Sequence, residues 1–476
     1  MQEAFDSEQF RAAGHRVIDA LADHLRRTGS REGPVLPWRD PVAAVHDWGP
    51  PPSEGGGLDE GLATLARWVE ASNHLHHPGY VGHQVPPALP LAALADAVVS
   101  LINNSMTIFE MSPAGVPVEN AVVRWMCGAL GFGPHSGGVL CDGGSIGNLT
   151  ALVAAREAVV GSHAGETGHQ RLGVLASDQA HYCIGRAAQV MGCEFVPVAS
   201  DAAYRMDVPA LERELDRLAR ERVRVFAIAA SVCNTPTGSF DPLEPIADAC
   251  EKKGLWLHAD GAHGASVVLS ERHRHLVRGI QRADSVTWDA HKMLMMPSLV
   301  TGVLFKRGDA ACETYAQRSS YLLDKSAKEE WFNPAHKTIE CTRRNMAVPL
   351  YVALRAYGVR TFAEHIDHTV ALARQFAAEV QASGDFELAL DPPLNIVCFR
   401  YRPSGMSDGA ALDELQARLR ERVLHSGRFY VVKTRLRSGL FLRTTLLNPR
   451  TTIGDLRTLL ETVRAAAASG NDERGQ

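Results

Sequence analysis

From about residue 58 to residue 350 the sequence alternates between short apolar runs and longer stretches with helical spacing. Strand-like runs fall at 137–141, 171–176, 194–197, 223–230, 255–259 and 285–288, with a returning run at 298–305. Helical spacing fills 61–72, 90–102, 116–130, 146–159 and 209–221. Strands that are apolar throughout are those buried on both faces, so the alternation predicts an α/β chain with a mostly parallel central sheet and helices on both faces. Such sheets place ligands beyond the carboxyl ends of their strands. Polar residues at those ends are therefore the ones to inspect for chemistry.

The flanks read differently. Residues 7–28 carry Phe10, Val17, Ile18, Leu21 and Leu25 at helical spacing and end in basic residues. Residues 33–57 are rich in Pro and Gly and read as a loop or linker. Together they predict an N-terminal helical arm that lies on a second subunit. After 351 a helix at 361–383 is followed by strands at 386–390 and 395–401, a helix at 411–424, strands at 429–435 and 440–446, and a helix at 453–468. That is a small C-terminal α+β domain. The expected division is 1–75, 76–350 and 351–476, with a frayed polar end from 469.

Composition removes several classes of function. The chain has 476 residues, 45% hydrophobic, enough for two or three domains. Its 49 basic and 54 acidic residues form no basic stripe, so no nucleic-acid partner is expected. No apolar run approaches the roughly 18 residues of a spanning helix. Residues 1–10 carry acids and no apolar core, unlike a signal peptide. The nine cysteines include no C-x-x-C pair and predict reduced, mostly buried thiols in a cytoplasm.

Four segments carry polar residues at strand ends. In VLCDGGSIGNLT, from Val139 to Thr150, a strand meets a glycine turn and a helix start. Glycines let an anion approach the backbone, and Ser145 with the first helical N–H groups would hold a phosphate. Alternatively Ser145 is simply the N-cap. In WLHADGAHGA, from Trp256, Asp260 emerges at a strand end, where a buried carboxylate needs a cationic partner. That partner is a protonated ring nitrogen on a ligand, or His258, Asp260 and His263 form a metal site, or Asp260 caps the next turn. In SDQAHYCIGRAA, His181 opens a helix, where an imidazole either stacks on a flat ligand or caps. In SVTWDAHKMLMMP, Lys292 sits between His291 and a run of methionines that reads as buried. Either its head reaches water, or the site uses the amine in the neutral form that burial favours. A phosphate turn, a stacking His, a buried Asp and a Lys are together what pyridoxal phosphate requires.

From His77 to Pro449 the chain resembles the group II pyridoxal-phosphate-dependent amino-acid decarboxylases, which include glutamate, cysteine-sulfinate, aromatic and diaminobutyrate decarboxylases. The segment from Ser285 to Met293 is most similar to the glutamate and cysteine-sulfinate members. The resemblance implies a fold-type I homodimer with active sites at the subunit interface, and decarboxylation of an L-amino acid through an external aldimine and a quinonoid. It implies that Lys292 binds the cofactor aldehyde and His181 stacks on the ring. Asp260 would pair with the ring nitrogen, and Ala262 would pack on the other face. Gly144, Ser145 and His291 would hold the phosphate, with Thr235 near the ring hydroxyl. Arg443, in FLRTTLLNP, would bind the substrate α-carboxylate. His83, Gln84, Thr107 and Phe109, in the stretches HHPGYVGHQ and NNSMTIFEM, are the candidates for the side-chain pocket.

The sequence departs from that family at several positions. Asp289 stands where many members have Asn, Cys233-Asn234 replaces Gly-Thr, and His263 replaces an aromatic or small residue. Decarboxylating members carry a loop tyrosine that returns a proton to carbon. Here that position falls near Lys328, and Tyr321 aligns elsewhere. Relatives without this tyrosine couple decarboxylation to oxidative deamination, giving an aldehyde. The expected product is the amine, with the aldehyde as the alternative and a small acidic or polar amino acid as substrate. No metal, membrane or nucleic-acid partner is expected.

Overall fold

The computed structural model describes residues 2–161, 171–317, 323 and 331–468. It divides into two compact units, one made of Met1–His83, Leu372–Asp391 and Ile396–Gln476, the other of Gln84–Ala371 and Pro392–Asn395.

Among the described residues, the larger unit is built on seven strands: β1 (Gly137–Cys141), β2 (Leu172–Ser177), β3 (Glu194–Val198), β4 (Arg224–Ser231), β5 (Trp256–Asp260), β6 (Ser285–Asp289) and β7 (Thr301–Phe305). Their order is β1-β7-β6-β5-β4-β2-β3. β3, β2, β4, β5 and β6 run parallel, and β7 is antiparallel to both neighbours. The mostly parallel sheet predicted from the alternation is therefore present. All five residues of β6 are buried, as are four of the five in β5. Two-sided burial removes the in–out alternation of a half-exposed strand, and the polar His258 and Ser285 inside these two strands are paired with each other at 2.9 Å. The core beside them gathers Val139, Val174, Phe226, Val303 and Phe305 against Leu152, Ala155 and Ile184 of the covering helices. Each such side chain contributes about 1.5–3 kcal/mol when fully buried.

Helices Gly144–Val160, Gly115–Ala129 and Leu243–Lys253 pack against this sheet. The first matters most here. Gly143 precedes it at φ 91°, a conformation that costs glycine little, and is the N-cap with no side-chain cap bond. Ser145 is thus inside the first turn and is not the N-cap.

In the smaller unit β8 (Phe386–Leu388), β9 (Ile396–Tyr401), β10 (Val432–Leu436) and β11 (Gly439–Thr445) form an antiparallel sheet in the order β10-β11-β9-β8. Helices Ala410–His425 and Ile453–Ala468 complete it over a core that includes Phe376, Phe399, Leu419, Leu442 and Leu459. The N-terminal helix Ser7–Gly29 belongs to this same unit and is tied to it by Arg31, whose guanidinium donates to both oxygens of Asp455. The segment 33–57, expected as loop throughout, contains the helix Pro41–Trp48. Its start is well specified: Pro41 is at the first helical position, and the Asp40 carboxylate accepts from Val42 and Ala43 N–H. The helix expected at 361–383 spans Ala347–Ala382, interrupted at Gly358, which sits at φ 73°.

Candidate active site

Eight of the sequence-predicted residues come together. Gly144, Ser145, His181, Thr235, Asp260, Ala262, His291 and Lys292 line one cavity of about 340 Å³ in the larger unit, Ala262 lying between the Asp260 strand end and the lysine turn. The cavity opens at the carboxyl ends of β1, β4, β5 and β6, where a parallel sheet presents its ligands.

Each strand end has a local reason for its shape. The penultimate residue of β6 is Trp288, fully buried, whose indole N–H donates to Ser266 Oγ at 2.7 Å. Asp289 follows and the chain turns through Ala290 and His291, so Lys292 enters the cavity from a rigid anchor. The methionines after it are buried, Met293 at 0% and Met296 at 2% exposure. β5 delivers Asp260, whose Oδ1 accepts the Ala262 N–H at 3.2 Å. β4 runs into the loop holding Cys233, Asn234 and Thr235. That loop is closed by Asn234 N–H to Ser239 C=O at 2.8 Å, and Asn234 Oδ1 accepts from Thr237. His181 is the N-cap of helix Tyr182–Val190, its Nδ1 accepting the Cys183 N–H at 3.3 Å.

The charges in the cavity are concentrated. Lys292 Nζ lies 3.1 Å from Asp289 Oδ2, and His291 Nε2 lies 3.6 Å from the same oxygen. Burial presses the Lys292 amine toward neutrality, but Asp289 and Asp260 outweigh it and the net shift is upward. This corrects the expectation of a lowered amine: burial acts as anticipated, and the two carboxylates reverse it. Burial pushes the Asp260 carboxyl up, against Lys292 and His181. Burial also lowers His181 and His291, with Asp260 opposing at the first and Asp289 at the second.

These residues suit pyridoxal phosphate. The helix start at Gly143 offers its first N–H groups with no side-chain cap. A Cβ at Gly144 would lie 3.0 Å from Asp289 Oδ2 and 3.3 Å from Ala262 Cβ, so any larger residue would crowd the cavity wall there. Lysine, carboxylate and imidazole face the same space.

The metal reading loses a ligand. His258 is fully buried and engages Ser285 Oγ at 2.9 Å and Asn148 Oδ1 at 2.8 Å through its two ring nitrogens. His263 Nε2 meets Asn395 Oδ1 at 2.9 Å. Among the described residues no group of three His, Cys, Asp or Glu is arranged to hold a metal ion.

Other candidates lie elsewhere. Thr107 is buried and donates to Cys341 C=O at 2.9 Å, while the Phe109 N–H donates to Asn333 Oδ1. Gln84 falls in the larger unit, and His83 and Arg443 in the smaller one. Arg443 is buried in β11 opposite Cys398 of β9. Tyr321 and Lys328 lie outside the described residues. The sequence reading missed Asn148 and Cys183, which also line the cavity and are bonded to each other at 3.1 Å. The available signal was spacing: Asn148 is four residues after Gly144, on the same helix face.

The profile described as the pyridoxal-dependent decarboxylase conserved domain matches residues 68–402. The chain belongs to this family. It is a pyridoxal-phosphate-dependent amino-acid decarboxylase. An aromatic-L-amino-acid decarboxylase from Bacillus atrophaeus is 29% identical over 467 residues, covering 97% of this chain and 96% of that protein. The human acidic amino acid decarboxylase GADL1 is 28% identical, over 90% and 85% of the two chains. The crystal structure of mouse CSAD has a TM-score of 0.91 at 27% identity, covering 97% and 99%. The fold-type I expectation holds in this family: a mostly parallel seven-stranded sheet and a small antiparallel C-terminal sheet.

Proposed function

We propose that this decarboxylase removes the α-carboxylate of an L-amino acid with a small acidic or polar side chain and returns the amine. The observation that carries the site assignment is the convergence of Lys292, Asp260 and His181 on the cavity beside the uncapped helix start at Gly143. When bound, pyridoxal phosphate supplies the electron sink for the pair left behind by departing carbon dioxide. Lys292 Nζ would be the amine that holds its aldehyde carbon. Asp260 would accept from the ring N–H and keep that nitrogen charged, a fixed electrostatic contribution to rate. His181 and Ala262 would bracket the ring, with Thr235 toward its hydroxyl. Gly144, Ser145 and His291 would hold the phosphate, favoured by the helix dipole. Arg443 would bind the substrate carboxylate, and His83 and Gln84 would recognise the side chain.

The working form is read as a cytoplasmic homodimer. Apolar side chains are exposed on helix Pro90–Ile102 (Val98, Leu101 and Ile102) and on Gly57–Ala71 (Leu65 and Trp68), which supports a covering second copy. Free thiols suit a reducing compartment. The test is a panel of acidic, polar, basic and aromatic amino acids, with carbon dioxide, amine, aldehyde, ammonia and peroxide all measured. Amine from aspartate, glutamate or cysteine sulfinate supports the reading. Aldehyde with ammonia and peroxide moves the assignment to the oxidative alternative, the one raised by the absence of a tyrosine near Lys328. Turnover confined to aromatic substrates removes the acidic or polar assignment.

A further inference from the structure

The carboxylate of Asp289 has no role in the reading above, yet its position is tightly determined. It ends β6 at 1% exposure. Its Oδ1 accepts the Thr301 hydroxyl at 2.6 Å across the β6–β7 pair, which fixes the plane of the carboxylate. Oδ2 is thereby turned to Lys292 Nζ at 3.1 Å. The other groups facing the amine are Asp260, His181, His291 and Cys183. Burial holds both imidazoles toward the neutral form and pushes the Cys183 thiol up to about 12. One ammonium therefore faces two acids, and Asp289 is the one in contact.

Building on the assignment of Lys292 as the cofactor-bearing amine, we propose that Asp289 is the holder of the free Lys292 side chain. It keeps Nζ as an ammonium aimed into the cavity before the cofactor arrives, and receives it again each time a substrate amine displaces it. The chemistry balances simply. Ammonium Nζ loses one proton to solvent, the neutral amine adds to the aldehyde carbon, and water leaves as the C=N bond forms. On displacement the substrate amine takes over that carbon, and the freed Lys292 amine regains a proton and returns to Asp289. Asp289 is thus a positioning residue: it slows capture at neutral pH and favours release.

The test follows capture of two aldehydes by cofactor-stripped protein: pyridoxal phosphate, and pyridoxal, which lacks the phosphate. Visible absorbance reports the C=N bond as pH is varied. Asp289→Asn, which retains the acceptor for Thr301, is expected to capture both aldehydes about tenfold faster or more at neutral pH, with the profile moved to lower pH, because removing a contacting opposite charge moves a pKa by roughly 1–3 units. Acceleration with pyridoxal phosphate alone overturns the proposal, since the carboxylate would then act on the phosphate. Unchanged or slower pyridoxal capture overturns it as well. If the variant does not fold, the wild type decides: pyridoxal capture still climbing beyond about pH 9 supports the proposal, and a plateau below that overturns it. Wild-type protein that captures neither aldehyde overturns the Lys292 assignment together with the proposal. Capture with an unshifted profile in the variant overturns the proposal alone.

Discussion

Arg343 and Lys292 are both cations carried into the interior of the larger unit, and they are housed in opposite ways. The Arg343 guanidinium turns back on the protein. It donates to Glu119 Oε1 at 3.1 Å and to the Leu140 carbonyl, and Glu119 Oε1 also accepts the Leu140 N–H at 3.3 Å. Both side chains are closed off, at 0% and 5% exposure. Lys292 keeps 20% of its side chain open to a cavity, and it faces two carboxylates with two imidazoles that burial holds toward neutrality. The first cluster closes within the chain and holds β1 in place. The second is an unbalanced set, two carboxylates to one ammonium, that opens onto a cavity. A buried charge thus marks function here only when its partners open onto space.

Breaking the closed cluster has the largest expected effect. Arg343→Leu leaves Glu119 buried without its cation and costs about 3–5 kcal/mol. Denaturant unfolding would read this directly, and a loss under about 1 kcal/mol would show that the pair is not holding β1. Next comes the open cluster. Asp260→Asn preserves shape and removes charge, so folding stability should hold while turnover falls roughly a hundredfold or more. Turnover within a few-fold of wild type would remove Asp260 from the ring nitrogen.

The third prediction uses His258, which sits under the cavity but behaves like the closed cluster. Burial lowers its pKa from 6.5 to about 3. The unfolded chain therefore takes up a proton first as pH falls, so the contribution of neutral His258 to stability is present above about 6.5 and is lost between there and about 3. At pH 5 that loss is about 2 kcal/mol. His258→Gln should flatten the acid limb of the stability curve by this amount, and its activity should survive a strong chelator, as it would not if His258 were a metal ligand. An unchanged acid limb would show that His258 is not held neutral.

Much of this was legible in the chain itself, for identifiable reasons. Strands such as 172–176 and 225–230 stood out because burial on both faces leaves them apolar throughout. The cavity residues stood out because polar groups at the ends of such strands have no packing reason to be there. What required three dimensions were contacts between distant segments. His258 meets Asn148 across 110 positions, and His263 meets Asn395 across 132, and neither pairing has a local signal. The direction of the Lys292 shift depends on a 3.1 Å distance that only the turn geometry sets. Helix Pro41–Trp48 is different: its Asp40 cap and Pro41 start were readable, and the surrounding prolines and glycines obscured them.

The most direct test of the central claim is to reduce the purified, cofactor-loaded enzyme with borohydride, digest it and weigh the peptides. The account predicts the phosphopyridoxyl mass on the peptide carrying Lys292 and its absence after Lys292→Ala. That mass on another lysine, or on none in a loaded and active enzyme, would contradict it.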